Sequence, residues 1–376
     1  HLETTTKCNA NCPMCGRNSK GQVRPQLQLS ELSLFECRTI FKSHFIAQLE
    51  AVDMCGAYGD PALTEELIEI VKYFVANSSN INIDIFTNGS VRPCSWWKDL
   101  ATQLGPGKVV FSIDGLKDTN YIYRQGTHFE TIIRNARSFI DAGGHAQWDF
   151  IVFKHNEHQI EEARNLSKQI GFKSFQVKKT ARFFKHLYQK DSALDEEGGL
   201  DRFPIYNRNG KICGVLEPPG NPEYLNSSLV DYQNISYRYG AIERYFDTTP
   251  IDCKAKGKKS IFVNARGLVY PCCWFYNQAN FGPLYGASDP IELRAQRIVE
   301  KMGGNGQISA LSRPLSDVIR GSFFSEIENS FSIPSLNEGR LKICARMCGR
   351  DFNQYEKQFE SEASTPGIPL RTSFPV

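Results

Sequence analysis

No apolar run in this 376-residue chain approaches the ~18–20 residues that a membrane-spanning helix needs. No secretory leader is visible, because the N-terminus leads straight into a cysteine cluster; a cytoplasmic location is expected. Excess charge is also missing. Forty-four Lys and Arg against 41 Asp and Glu leave a net +3, which gives no reason to expect nucleic acid or a membrane surface as partner. The local cluster Lys254, Lys256, Lys258 and Lys259 reads as a solvated loop face. No internal repeat is found beyond an alternation of strands and helices.

Cysteine is what the chain has in abundance, at 12 residues. In a long chain without a secretory leader, disulfides are a poor explanation. The positions are also uneven: a triplet (Cys8, Cys12, Cys15), four singles (Cys37, Cys55, Cys94, Cys213) and a late group (Cys253, Cys272, Cys273, Cys344, Cys348). The triplet's spacing would arise by chance only about 0.01 times per chain of this composition, so metal binding is the better reading.

The length suggests roughly two domains. Residues 1–180 alternate short β-rich runs with helical patterns. Strands are expected in "HLETT", "AVDMCG" (51–56), "INIDIFTNG" (81–89), "KVVFSIDG" (108–115), "AQWDFIVF" (146–153) and "SFQVKK" (174–179). Helices are expected from Ser30 as N-cap, from Thr64 with Glu65 and Glu66 in the first turn, and over stretches ending at Gly143–Gly144 and at Gly171. Six βα units in a row imply a parallel sheet curled into a partial (β/α)6 barrel, with chemistry on the loops after the strands. Residues 181–250 are turn-rich and read as a linker or substrate-facing excursion with little regular structure. Residues 251–350 carry the late cysteines, and 351–376 read as a polar, extended tail.

"CNANCPMC" (8–15) spaces its thiols Cys-x3-Cys-x2-Cys and has no fourth cysteine nearby. Thiolates suit zinc, Cu(I) or iron–sulfur clusters. A structural zinc site or an electron-transfer 4Fe–4S cluster would normally be closed by a fourth ligand. Three ligands on one tight loop leave one iron of a four-iron cluster open to something else.

This pattern resembles the signature CxxxCxΦC of the radical SAM superfamily, matched by Cys8, Cys12, Met14 and Cys15. The resemblance implies that S-adenosylmethionine (SAM) chelates the open iron. One electron then cleaves its sulfonium, and a 5′-deoxyadenosyl radical abstracts hydrogen from the substrate. Further residues follow the family's order. "YGDP" (58–61) looks like its GGEP loop, with Gly59, Asp60 and Pro61 on the methionine amino side and Asp60 in place of glutamate. "TNG" supplies Asn88, and "SIDG" places Ser112 and Asp114 on the ribose or carboxylate side. Arg124 resembles an arginine that pairs with the SAM carboxylate, and the resemblance implies that Asn156 approaches the cofactor and that Met14 packs near adenine.

Between Cys253 and Cys272 lies a β-hairpin pattern with "NARG" at its turn, and Cys344 and Cys348 follow in a helix-like stretch. This resembles the half-length auxiliary-cluster module called twitch; the seven-cysteine pattern of the full SPASM module is incomplete. One auxiliary 4Fe–4S cluster is expected on Cys253, Cys272, Cys344 and Cys348, with Cys273 the rival of Cys272; zinc on the same thiols is the alternative. The fold class expected is therefore α/β, a partial barrel followed by a small α+β twitch-like domain.

The substrate is not fixed by these motifs, and no general base stands out. Modification of a ribosomally made peptide (crosslink, epimerisation, dehydrogenation or backbone excision) is the leading reading, since the tyrosine-rich stretch around 221–246 suits peptide contact. A sugar or other small polar metabolite is the alternative, and a structural zinc or electron-transfer protein the non-enzyme class. A reductant such as flavodoxin or ferredoxin is implied, and a small separate recognition protein would deliver a peptide.

Overall fold

The computed structural model describes residues 1–183, 202–280, 288–352 and 356–358. Five parallel strands form the central sheet in sequential order: β1 (Ala51–Met54), β2 (Asn82–Thr87), β3 (Lys108–Ser112), β4 (Ala146–Ile151) and β5 (Ser174–Lys178). Their outward residues are apolar, as alternation requires. Ile83 and Ile85, Phe111, Trp148 and Phe150, and Val177 are buried under the crossover helices. Those are α2 (Leu67–Asn77), α3 (Cys94–Gln103), α4 (Phe129–Asp141) and α5 (Ile160–Ile170), preceded by α1 (Leu34–Ile40). Trp97 of α3 and Phe139 of α4 both pack on Phe111 at ring distances of 5.3 and 6.3 Å. Each such buried side chain contributes ~1.5–3 kcal/mol. Gly171 ends α5 at φ 100°, a conformation that disfavours any residue with a Cβ.

The inward face is mixed: a small apolar cluster of Cys55, Phe86 and Val110 shares it with a set of charged and polar residues. Asp53, Asp84, Lys108, Gln147, Asp149 and Lys178 alternate with the outward set. Branched apolar layers normally fill a barrel of this kind. Here Lys178 Nζ lies 2.5 Å from Asp149 Oδ2, both buried, and Lys108 Nζ donates to Gln147 Oε1 at 2.8 Å.

The first expected strand is nearly absent. Leu2 alone bridges Met54 in parallel, and the next residues leave the sheet. The Thr4 carbonyl accepts from Leu32 N–H, and Thr6 N–H donates to the Ser30 carbonyl, which pulls the chain away. The sheet is therefore five strands with a one-residue sixth. The same contact explains why Ser30 caps nothing: its backbone is spent on Thr6. Ser33 caps α1 instead, in a reciprocal box with Glu36. Thr64 likewise pairs its hydroxyl with that of Thr4, and α2 starts at Leu67.

Leu2 also bridges Val263. Through it the antiparallel hairpin β8 (Phe262–Val263) and β9 (Val269–Tyr270) joins the edge of the central sheet. The "NARG" turn is as expected, with Asn264 Oδ1 accepting from Arg266 and Leu268 N–H. Residues 181–250 correct the sequence reading. They hold the hairpin β6 (Phe203–Tyr206) and β7 (Ile212–Leu216) and the helices α6 (Ser228–Tyr239) and α7 (Ile242–Thr248). Residues 184–201, including most of "EEGGLDRF", and most of the expected tail lie outside the described residues. Two helices carry late cysteines, α8 (Cys273–Ala279) and α9 (Lys342–Cys348). Among the described residues no helix is long and apolar enough to cross a membrane.

Candidate functional site

The cysteine triplet sits on the loop that follows the one-residue strand. Cys12 is buried, while Cys8 and Cys15 are half-buried. The loop is shaped by its own backbone: Cys15 N–H donates to the Cys12 carbonyl at 3.1 Å, and the Asn18 side chain donates to that same carbonyl at 3.1 Å. Asn11 fixes its flank, with its N–H on the Gln125 carbonyl at 2.7 Å. The three thiols are one another's electrostatic neighbours, together with Asp60, Asp114 and Arg124. Burial pushes the Cys12 thiol up to about 11, against the pull of Arg124. Burial and the nearby Asp60 raise Cys8 further. Binding a metal there would displace these protons.

Arg124 is held by Asp114, Nε to Oδ2 at 2.5 Å, and turns Nη1 toward Cys12 Sγ at 3.9 Å. Burial works against its charge, but the Asp114 carboxylate more than offsets this and raises the guanidinium above its usual value. Asp114 is anchored in turn by Ile151 N–H at 2.6 Å. Asn156 is fully buried and spends both amide hydrogens on the Asp114 and Ile151 carbonyls, so it staples the loops after β3 and β4 together. Ser112 ends β3 opposite Asp149 on the inward face.

The Asp60 carboxylate is held by the protein itself. It accepts from Ala62 N–H, Thr87 Oγ1, Asn88 N–H and Asn88 Nδ2, all within 3.0 Å. A carboxylate has about four acceptor sites, so this one is fully occupied by the protein. Burial raises Asp60 above the usual carboxylate range despite these bonds. Asn88 extends the chain, donating to Asn9 Oδ1 at 2.9 Å beside Cys8. Pro61 opens a short helix capped by Asp60. Gly59 lies so close to the first segment that a Cβ would fall 1.9 Å from the Thr5 carbonyl oxygen. Gly59→Ala should therefore displace the loop and cost about 1–3 kcal/mol, read as a lowered melting temperature. Met14 packs against a buried cluster that includes Tyr123 and Phe153, and its carbonyl accepts from Arg182 Nη1 at 3.3 Å.

Three residues of this region were missed. Glu3 is fully buried, accepts from Tyr58 N–H at 2.8 Å, and is pushed up to about 7 by burial. Its signal is an acid on the inward face of an otherwise β-like first segment. Arg17, two residues past Cys15, donates from Nη1 to the carbonyls of Thr6 and Tyr58. Arg182 reaches back from the end of the barrel. Helix α3 was also missed, although Trp97, Leu100 and Leu104 mark one buried face.

The late cysteines converge as well. Cys253 heads a short helix, Cys272 caps α8 with its sulfur accepting from Phe275 N–H at 3.4 Å, and Cys344 and Cys348 lie one turn apart on α9. All four line one cavity of about 940 Å³. A thiol hydrogen bond from Cys348 draws Cys253 below its usual value. The rival Cys273 is buried elsewhere, with Glu3 among its electrostatic neighbours. Cys213 is exposed on β7, its thiol directed at the Ile205 carbonyl. All twelve cysteines are free. Among the described residues no three His, Cys, Asp or Glu side chains are close enough to grip a single ion. A four-iron cluster takes each thiolate at a separate corner and does not demand that closeness.

Residues 2–166 match the family model described as the radical SAM superfamily. Among solved structures the fold is similar to that of Streptococcus suis SuiB. SuiB bound to precursor peptide SuiA gives a TM-score of 0.51 at 15% identity, covering 95% of this chain and 74% of that one. SuiB bound to S-adenosylmethionine gives 0.50 at 16% identity, covering 92% and 72%. In a further SuiB structure, with a TM-score of 0.44 at 16% identity, 73% of this chain is covered and the match spans only 60% of that chain. No curated protein sequence matches.

Proposed function

We propose that the radical SAM superfamily domain formed by residues 2–166 makes this chain an enzyme that cleaves SAM reductively and modifies a ribosomally made peptide. The observation that carries this is the triplet loop: three thiols within eight residues that are one another's electrostatic neighbours, with Arg124 Nη1 3.9 Å from Cys12 Sγ. Cys8, Cys12 and Cys15 would hold a 4Fe–4S cluster. Arg124 and Ser112 have polar atoms to offer SAM. Gly59 lets the "YGDP" backbone close on the loop, while Asp60, Asn88, Asp114 and Asn156 position those groups. Bound together, the cluster and SAM supply an electron and a 5′-deoxyadenosyl radical. Cys253, Cys272, Cys344 and Cys348 would hold an auxiliary 4Fe–4S cluster in a twitch-like module.

Free cysteines in this number fit a reducing, cytoplasmic setting, where flavodoxin or ferredoxin can act as reductant. Exposed Tyr121 and Tyr237 offer aromatic surface of the kind that contacts peptides, and the likeness to a peptide-bound SuiB fold is in keeping with this. Anaerobically reconstituted protein should carry about eight irons and form 5′-deoxyadenosine from SAM and dithionite. Cys348→Ala should lower the count to about four irons and retain SAM cleavage. A wild-type count near four, with no loss in Cys348→Ala, would remove the auxiliary cluster from the proposal.

A further inference from the structure

Arg17 is a buried cation without an anion. Its residue is 4% exposed, its Nη1 donates to the Thr6 and Tyr58 carbonyls, and its Nε is enclosed with no hydrogen-bond partner. Among the described residues no carboxylate stands within ion-pair distance of it. The contrast with its neighbours is sharp. Arg124 has Asp114 and Lys178 has Asp149. Removing a guanidinium from water without a counter-charge is costly, and two neutral carbonyls repay only part of that. A charge kept in such a place would be stabilised by an opposite charge bound beside it.

The surroundings say where. Arg17 follows Cys15 by two residues, Thr6 precedes Cys8 by two, and Tyr58 adjoins Gly59 and Asp60. The guanidinium thus braces both ends of the triplet loop against the "YGDP" loop. We infer that Arg17 is the resident counter-charge of the iron–sulfur cluster on Cys8, Cys12 and Cys15, and that it raises the cluster's reduction potential. This rests on the function proposed above. Three thiolates on a four-iron core give a net negative charge that grows by one when a carrier gives up one electron and the cluster takes it. A fixed positive charge in a low-dielectric site stabilises the reduced form more than the oxidised one. Arg17 is thus a positioning residue that acts through the cluster.

The test is a redox titration of the full-length, reconstituted protein, following by EPR the reduced-cluster signal that SAM perturbs. Arg17→Met should lower the reduced-to-oxidised ratio at a fixed poise about tenfold, which is 59 mV for a one-electron couple. Arg17→Lys, which keeps the charge and loses the fork, should stay within about threefold of wild type. Arg17→Gln keeps a donor for the carbonyls and should shift like the methionine variant, and it stands in if that variant does not fold. An unshifted potential in the neutral variants overturns the inference. So does a lysine variant that shifts as far as the neutral ones, since Arg17 would then be only a brace. If Cys12→Ala leaves iron content and the SAM-perturbed signal unchanged, it is the proposed function that fails.

Discussion

Alanine at Cys12 will reduce 5′-deoxyadenosine formation at least about a thousandfold, equivalent to ~4 kcal/mol of lost transition-state stabilisation. The loop should survive the change. What organises it at this position is the Cys12 carbonyl, which holds Cys15 N–H and the Asn18 side chain and is untouched by the substitution. The loss is the sulfur alone, the most buried of the three and the one facing Arg124. Iron per chain should fall from about eight to about four, and the remaining iron should be the auxiliary cluster. SAM cleavage at the wild-type rate in Cys12→Ala, or in the triple alanine variant of Cys8, Cys12 and Cys15, would end the assignment of this loop.

Arg124→Met should have two separable effects. Asp114 has no exposed surface and would keep Ile151 N–H but lose its cation. Breaking a buried pair on one side costs about 3–5 kcal/mol, a melting-temperature drop of roughly 4–6 °C for a protein of this size. SAM affinity should fall as well, by about 1.5–3 kcal/mol for a lost charged hydrogen bond, or roughly tenfold to a hundredfold. Adding Asp114→Asn should recover part of the stability and none of the affinity, a coupling that thermal melts and anaerobic calorimetry with SAM can resolve. If SAM binds Arg124→Met as tightly as wild type, Arg124 serves the fold alone.

Much of the candidate site was legible because its logic is local. Three cysteines in eight positions, and short polar loops after β-rich runs, can be read by eye. The sequence also placed the late hairpin, and it favoured Cys272 over Cys273 as a ligand, which stays part of the proposal; Cys272 lines the shared cavity. Contacts across long separations were illegible. Ser30 and Thr64 looked like caps because nothing nearby reveals that Thr6 and Thr4 claim them. The strand over residues 1–5 failed for the same reason, since its β-prone residues are drawn off by residues 30–32. Residues 181–250 were read as a linker or excursion on their turn-rich content, yet over 203–248 that content marks only the turns between β6, β7, α6 and α7. Asp60 shows a subtler limit. The resemblance placed it on the methionine amino side, and only the geometry shows the protein donors that its oxygens accept from.

The splice at Leu2 has a consequence for biogenesis. Val263, on the far side of that residue, is synthesised long after it. Until the ribosome has delivered the late hairpin, the opening segment has a neighbour on one flank only and its other flank lies bare. A segment made well before its second neighbour is therefore completed late, a high-contact-order closure that folds slowly and leaves a sticky border in the nascent protein.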